Sequence, residues 1–181
     1  MTRAACRSVN APALGCVLVW LSCLLAPCRP CGAPGRSDLL LCRSCGHEVA
    51  LGSAASFVES RVALSHRNVT ALGGRRVPVQ LFENPQGFRF EVVTFRAARV
   101  RKHWPADARF TWYPGFSWAV ATCPQCSAHL GWAFQPSDWP ETVTERRFEE
   151  SNKTFVALIV DSLLPENFAS TLLMTPKSFR S

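Results

Sequence analysis

Two Cys-x-x-Cys pairs, Cys42-Arg43-Ser44-Cys45 and Cys123-Pro124-Gln125-Cys126, are the residues of this 181-residue chain whose types and spacing best suit chemistry. A two-residue gap lets backbone N–H groups of the turn point at the sulfurs. Two such knuckles together supply the four thiolates of a tetrahedral zinc site. Four thiolates leave no open position for a catalytic water, so zinc held here is structural. Disulfides are the competing reading for a secreted chain with an even number of cysteines. A bridge inside Cys-x-x-Cys, however, closes a small, strained loop of the redox-active kind. His47, two residues past Cys45, is either a spare ligand or a residue that packs on the knuckle.

The second knuckle is surrounded by tryptophan. Trp112, Trp118 and Trp132 are three of the six in the chain. Pro114-Gly115 puts a turn between the first two, and Trp132 and Phe134 share a face at strand period. Two readings stay open: the indoles are core around a metal knuckle, or they wall a pocket that takes flat or cationic groups on π faces. No Ser-His-Asp arrangement or carboxylate pair stands out, and no cysteine after Asp38 lies outside the knuckles, so no enzyme is expected.

The elements that must position these residues are short strands. LLLC (39–42), VPVQLF (77–82), FRFEVVTF (88–95), FSWAVATC (116–123), HLGWAF (129–134) and TFVALIV (154–160) read as strands. Gly73-Gly74, Asn84-Pro85-Gln86-Gly87, Pro114-Gly115 and Pro136 punctuate them. A helical turn or two is expected near 53–64 and 141–150. The fold class is mainly β, a single antiparallel domain stapled by zinc. The knuckles then sit on separate parts of the fold, pinned together by the metal.

Arg3 and Arg7 precede an apolar run from Ala13 to Ala26, broken by Pro27, Pro30 and Pro34. This pattern predicts a signal peptide over residues 1–32, cleaved within about 26–33. The run is shorter than the ~20 residues a spanning helix needs. The mature protein is expected to be secreted, with no membrane span, and monomeric. Cys6, Cys16, Cys23, Cys28 and Cys31 belong to the leader or its border. Without the leader, 17 basic residues face 13 acidic ones, a net charge of +4. Such mild basicity gives little support to a nucleic-acid partner. Arg96, Arg99, Arg101 and Lys102 cluster, as do Arg75 and Arg76. A solvated face explains both, and a heparin-like polyanion is the alternative. Asn68-Val69-Thr70 and Asn152-Lys153-Thr154 are glycosylation sequons expected in exposed loops or turns.

The stretch from Trp112 to Phe134, FENPQGF around Asn84-Pro85, both knuckles and the closing FVALIVDSLLP resemble the CULT domain. This is the thalidomide-binding domain of cereblon, found also in stand-alone secreted proteins. The resemblance covers roughly residues 38–168, leaving 169–181 as a tail. It implies a β-tent: two antiparallel sheets pinned near their tip by a structural zinc on Cys42, Cys45, Cys123 and Cys126. It further implies that Trp112, Trp118 and Trp132 cage a cyclic imide, a glutarimide-like small molecule or cyclised peptide end. Phe134 would close the wall, Asn84 would lie on the neighbouring loop, and Phe110 would contribute backbone contacts. Phe110 stands where members such as cereblon carry histidine, Arg109 replaces an acid, and Gln86 replaces another histidine. Any side-chain hydrogen bond from the histidine that Phe110 replaces is therefore missing. The ubiquitin-ligase adaptor role needs other regions and does not transfer. β-Tents with two knuckles also resemble B-type methionine sulfoxide reductases, whose chemistry needs a cysteine beyond the metal ligands. A polyanion- or RNA-binding β-tent is the remaining alternative.

Overall fold

Every residue of Phe155–Ile159 is buried, and its side chains alternate between two separate apolar clusters. Phe155, Ala157 and Ile159 face one cluster, while Val156 and Leu158 face the other. Such a continuous apolar run is what a strand covered on both faces requires. The rest of the fold is arranged around it. The computed structural model describes residues 38–72 and 75–172. The leader and its cysteines, and the tail beyond residue 172, lie outside the described residues.

In chain order the elements are β1 (Leu39–Cys42), β2 (Glu48–Leu51), β3 (Ser65–Leu72), β4 (Arg75–Glu83), β5 (Arg89–Phe95), β6 (Arg101–Asp107), β7 (Phe116–Thr122), β8 (His129–Pro136), α1 (Glu145–Glu149), β9 (Phe155–Ile159), β10 (Leu163–Pro165) and α2 (Glu166–Leu172). They form two antiparallel sheets, a small one in the order β10-β1-β2 and a large one in the order β3-β4-β5-β9-β8-β7-β6. The mainly β, two-sheet architecture expected from the sequence is the one observed.

All six expected strands are present. β2, β3, β6, β10 and α2 come in addition. The expected helix near 141–150 is α1, capped by the Thr144 hydroxyl, which accepts from the Arg147 N–H at 3.2 Å. Around 53–64 the structure has one 3-10 turn, Gly52–Ala54, and a β-turn in which the Ala63 N–H donates to Ser60 O. The following N–H groups are drawn into the sheet instead: Ser56 donates to Thr94 O, Val58 to Thr94 Oγ1 and Ser60 to Gln80 Oε1.

One apolar cluster combines the small sheet (Leu40, Val49) with one face of the large sheet (Val93, Ala121, Leu130, Leu158) and includes Cys42 and Cys123. The other, on the opposite face of the large sheet, holds Phe82, Val92, Tyr113, Phe134 and Phe155, with Trp112, Trp118 and Trp132 packed against it. Each fully buried aromatic here contributes about 2–3 kcal/mol by removal from water. Cys42 and Cys123 thus belong to a different core from the tryptophans, and the β7–β8 hairpin carries Cys123, Trp118 and Trp132.

Candidate functional site

The two knuckles have the same local architecture. In the first, Gly46 N–H donates to Cys42 O and Cys42 N–H to His47 O. In the second, Ser127 N–H donates to Cys123 O and Cys123 N–H to Ala128 O, all at 2.8–2.9 Å. Both turns need the residue after the second cysteine in the left-handed region, where Gly46 has φ 76° and Ser127 φ 61°. Cys42 closes β1 and Cys123 follows β7. The knuckles are therefore the tips of the β1–β2 and β7–β8 hairpins, one from each sheet.

The four Sγ atoms lie within 4.8 Å of one another. Cys42 and Cys126 are 3.8 Å apart, and Cys45 and Cys123 3.6 Å. A tetrahedral tetrathiolate site with metal–sulfur bonds of ~2.3 Å sets its sulfurs about 3.8 Å apart, so the four residues fit a metal ion. All four are free thiols, and the close pairs run between knuckles rather than within them. His47 stays outside the cluster, and its Nε2 is buried without a partner.

The sulfur environments differ. Burial raises the Cys42 thiol against the opposing effect of the Ser44 and Cys45 N–H groups. At Cys45 the His47 N–H favours the thiolate, but desolvation and the other three sulfurs outweigh it and push the thiol up to about 12. At Cys123 burial is more than offset by the Cys126 and Gln125 N–H groups and by neighbouring thiols, giving about 7. A bound cation is what allows all four to be thiolates together.

On the other face of the large sheet a cavity of about 300 Å³ is lined by Asn84, Pro85, Gln86, Phe110, Trp112, Trp118, Trp132 and Phe134. The structure brings together every pocket residue named from the sequence. The tryptophans are core and wall at once. Trp112 stacks on Phe82 (4.8 Å, 8°) and meets Trp132 edge-on (4.5 Å, 67°), while Phe90 packs edge-on against Trp132 (5.2 Å). Trp118 pairs across the β7–β8 ladder with the fully buried Phe134. The Trp112 indole N–H donates to Glu83 O at 3.3 Å and that of Trp118 to Arg109 O at 2.8 Å. With those N–H groups committed, both rings present apolar surface to the cavity.

Two turns frame the mouth. Asn84 Oδ1 accepts from the N–H groups of Gln86 (3.1 Å) and Phe88 (2.9 Å), which shapes the 84–88 turn. Opposite it, Asp107 accepts from the Arg109 backbone N–H and guanidinium; that guanidinium holds the Asp107 carboxyl below its usual range. Among the described residues, the Trp112 N–H and both backbone groups of Phe110 have no internal hydrogen-bond partner.

Residues that carry the site but escaped the sequence reading lie beneath it. The Ser60 hydroxyl donates to Trp112 O, and Gln80 Nε2 to Val58 O (2.8 Å) and the Tyr113 hydroxyl (3.1 Å). Burial pushes the Tyr113 hydroxyl pKa well up. His129, which the sequence suggests is a satisfied residue rather than a catalyst, lies exposed at the start of β8, meets Trp132 edge-on at 4.6 Å and donates from Nε2 to Gly131 O, and desolvation lowers its pKa. Gln80, a lone polar residue in the apolar run VPVQLF, was the one available signal.

The other candidates separate. Arg99 pairs with Glu48 (2.8 Å), Arg101 donates to Pro124 O, Arg96 to Asn152 O, and the buried Lys102 sits between Glu145 and Glu149. The basic cluster is largely paired within the protein. Asn152 is in an exposed turn, as expected. Asn68 is exposed but lies on β3, not in a loop; as an edge strand, β3 leaves one side open to solvent. Every described cysteine belongs to the four-sulfur cluster. No described helix is long and apolar enough to cross a membrane.

No family model matches the chain. It is similar to cereblon of Danio rerio, 33% identical over 58 residues, or 32% of this chain and 14% of that protein. It is also similar to cereblon of Gallus gallus, 29% identical over 89 residues (49% and 18%), and of Drosophila melanogaster, 28% over 102 residues (54% and 14%). Over these stretches the described domain is similar to part of cereblon. The chain spans less than a fifth of the length of these curated relatives. One hairpin carries part of both features, the second knuckle at the β7–β8 tip and Trp118 and Trp132 on its strands.

Proposed function

We propose that this CULT domain is a secreted, non-catalytic binding module that holds a flat cyclic imide between Trp112, Trp118 and Trp132. One observation carries the reading. A cavity of about 300 Å³ is walled by three indoles and Phe134, and two of its lining residues, Trp112 and Phe110, have a backbone N–H and a carbonyl without an internal partner. A glutarimide ring is flat enough to lie against indole faces, and its imide N–H and C=O complement a backbone acceptor and donor. The ligand is a small molecule or a cyclised peptide end, and no nucleic acid is needed.

The four cysteines hold a structural zinc that ties the two hairpin tips together. Their sulfur separations match a tetrahedral thiolate site, and a closed four-sulfur set supplies no catalytic position. The apolar leader directs secretion, and Asn68 and Asn152 are the glycan acceptors, both exposed.

Tryptophan fluorescence of the secreted protein, titrated with thalidomide, tests the imide reading. Saturable quenching in wild type and its loss in Trp118→Ala with zinc retained is the expected result. An unresponsive, zinc-loaded wild type contradicts it.

A further inference from the structure

Phe110 is 76% exposed, the most exposed large apolar residue among the described residues, and it lines the tryptophan cavity. Its backbone has φ 55°, in the left-handed region that bulky side chains avoid. The position is thus unfavourable twice over, in backbone conformation and in apolar exposure, and the ring joins neither core cluster. Its loop is also firmly held. Asp107 binds the Arg109 N–H, Arg109 O accepts from the Trp118 indole, Thr111 Oγ1 accepts from the Tyr113 N–H, and Trp112 O accepts from Ser60. Phe110 is therefore an unpacked aromatic ring on a fixed support, pre-organised for contact with something outside the protein.

The charges beside the mouth are already paired, Asp107 with Arg109 and Glu83 with Arg89. What remains on offer there, besides the Gln86 amide, is apolar: the Phe110 ring and Pro85. We infer that Phe110 is a specificity-determining residue, selecting imides whose solvent-facing side carries an aromatic or other flat apolar group. This rests on the cyclic-imide reading of the cavity.

The test is equilibrium binding of unsubstituted glutarimide and of 3-phenylglutarimide to the secreted protein, as wild type, Phe110→Gly and Phe110→Tyr. Glycine adopts φ 55° freely, so Phe110→Gly keeps the fold, and its Tm should equal or exceed that of wild type. The readout is the ratio of the two Kd values within each protein. Wild type should prefer the phenyl compound by about tenfold. Phe110→Tyr should keep that ratio, and Phe110→Gly should bring it close to one. An unchanged ratio in Phe110→Gly overturns the inference and leaves the imide reading standing. Failure of wild type to bind either compound overturns both.

Discussion

A Cβ placed on residue 131 would lie 2.0 Å from the Ala157 carbonyl oxygen, and Gly131 has φ 150°. Only glycine lets β8 approach β9 there, and Trp132 is the next residue. Gly131→Ala should therefore cost about 3 kcal/mol or more in urea unfolding and displace the Trp132 wall. Ser127 is the opposite case. It takes the left-handed conformation that Gly46 takes in the matching knuckle, and nothing prevents glycine from doing so. Ser127→Gly should raise stability by up to about 1 kcal/mol with metal content unchanged. His129 gives a pH dependence. Desolvation lowers its pKa, so between the ordinary value near 6.5 and the lower folded one the unfolded chain binds more protons. Stability should rise with pH through that window and fall as acid is added. In His129→Gln the urea midpoint should change less between pH 7 and pH 5. At this scale the cysteines and tryptophans were legible because their spacing alone implies shared chemistry. Asn84 and Phe110 were legible only through resemblance. Gln80, Ser60 and Gly131 were not, since their roles arise from contacts with β5–β9 neighbours and loops remote in sequence.

The six strands anticipated from the sequence, β1, β4, β5, β7, β8 and β9, are the interior strands of the two sheets, and the four missed, β2, β3, β6 and β10, are their edges. The cause is physical. An interior strand buries side chains on one or both faces and so spells an apolar run. An edge strand such as SHRNVTAL or RKHWPAD is polar, since charge there discourages pairing with other chains. β10 is only three residues long and reads as a continuation of β9. Element scale is also where the proposed zinc acts, since the four sulfurs come together at the β1–β2 and β7–β8 tips. Stripping it with a chelator should lower Tm by about 10 °C or more. Amide exchange should rise first at those two tips, and imide affinity should fall with it because Trp118 and Trp132 ride on the same hairpin. A chelated protein with unchanged Tm and exchange would contradict the staple.

Across the whole molecule, the large sheet separates two tasks. One face meets the small sheet and the four-sulfur cluster, and the other supports the aromatic pocket. Arg96, Arg99, Arg101 and Lys102 are engaged within the protein, so imide binding should change little between 50 and 500 mM salt, where phosphate contacts would weaken steeply. The central claim is that three particular tryptophans surround the ligand while Trp104, packed on Phe148, and Trp139, beneath Arg147, do not. The measurement that tests it most directly is the ¹⁵N indole NMR spectrum of the purified protein as a glutarimide is added. Saturable shifts of the Trp112, Trp118 and Trp132 indole signals, with those of Trp104 and Trp139 unmoved, are the predicted result. Shifts confined to Trp104 or Trp139, or none at saturating imide, would contradict the account.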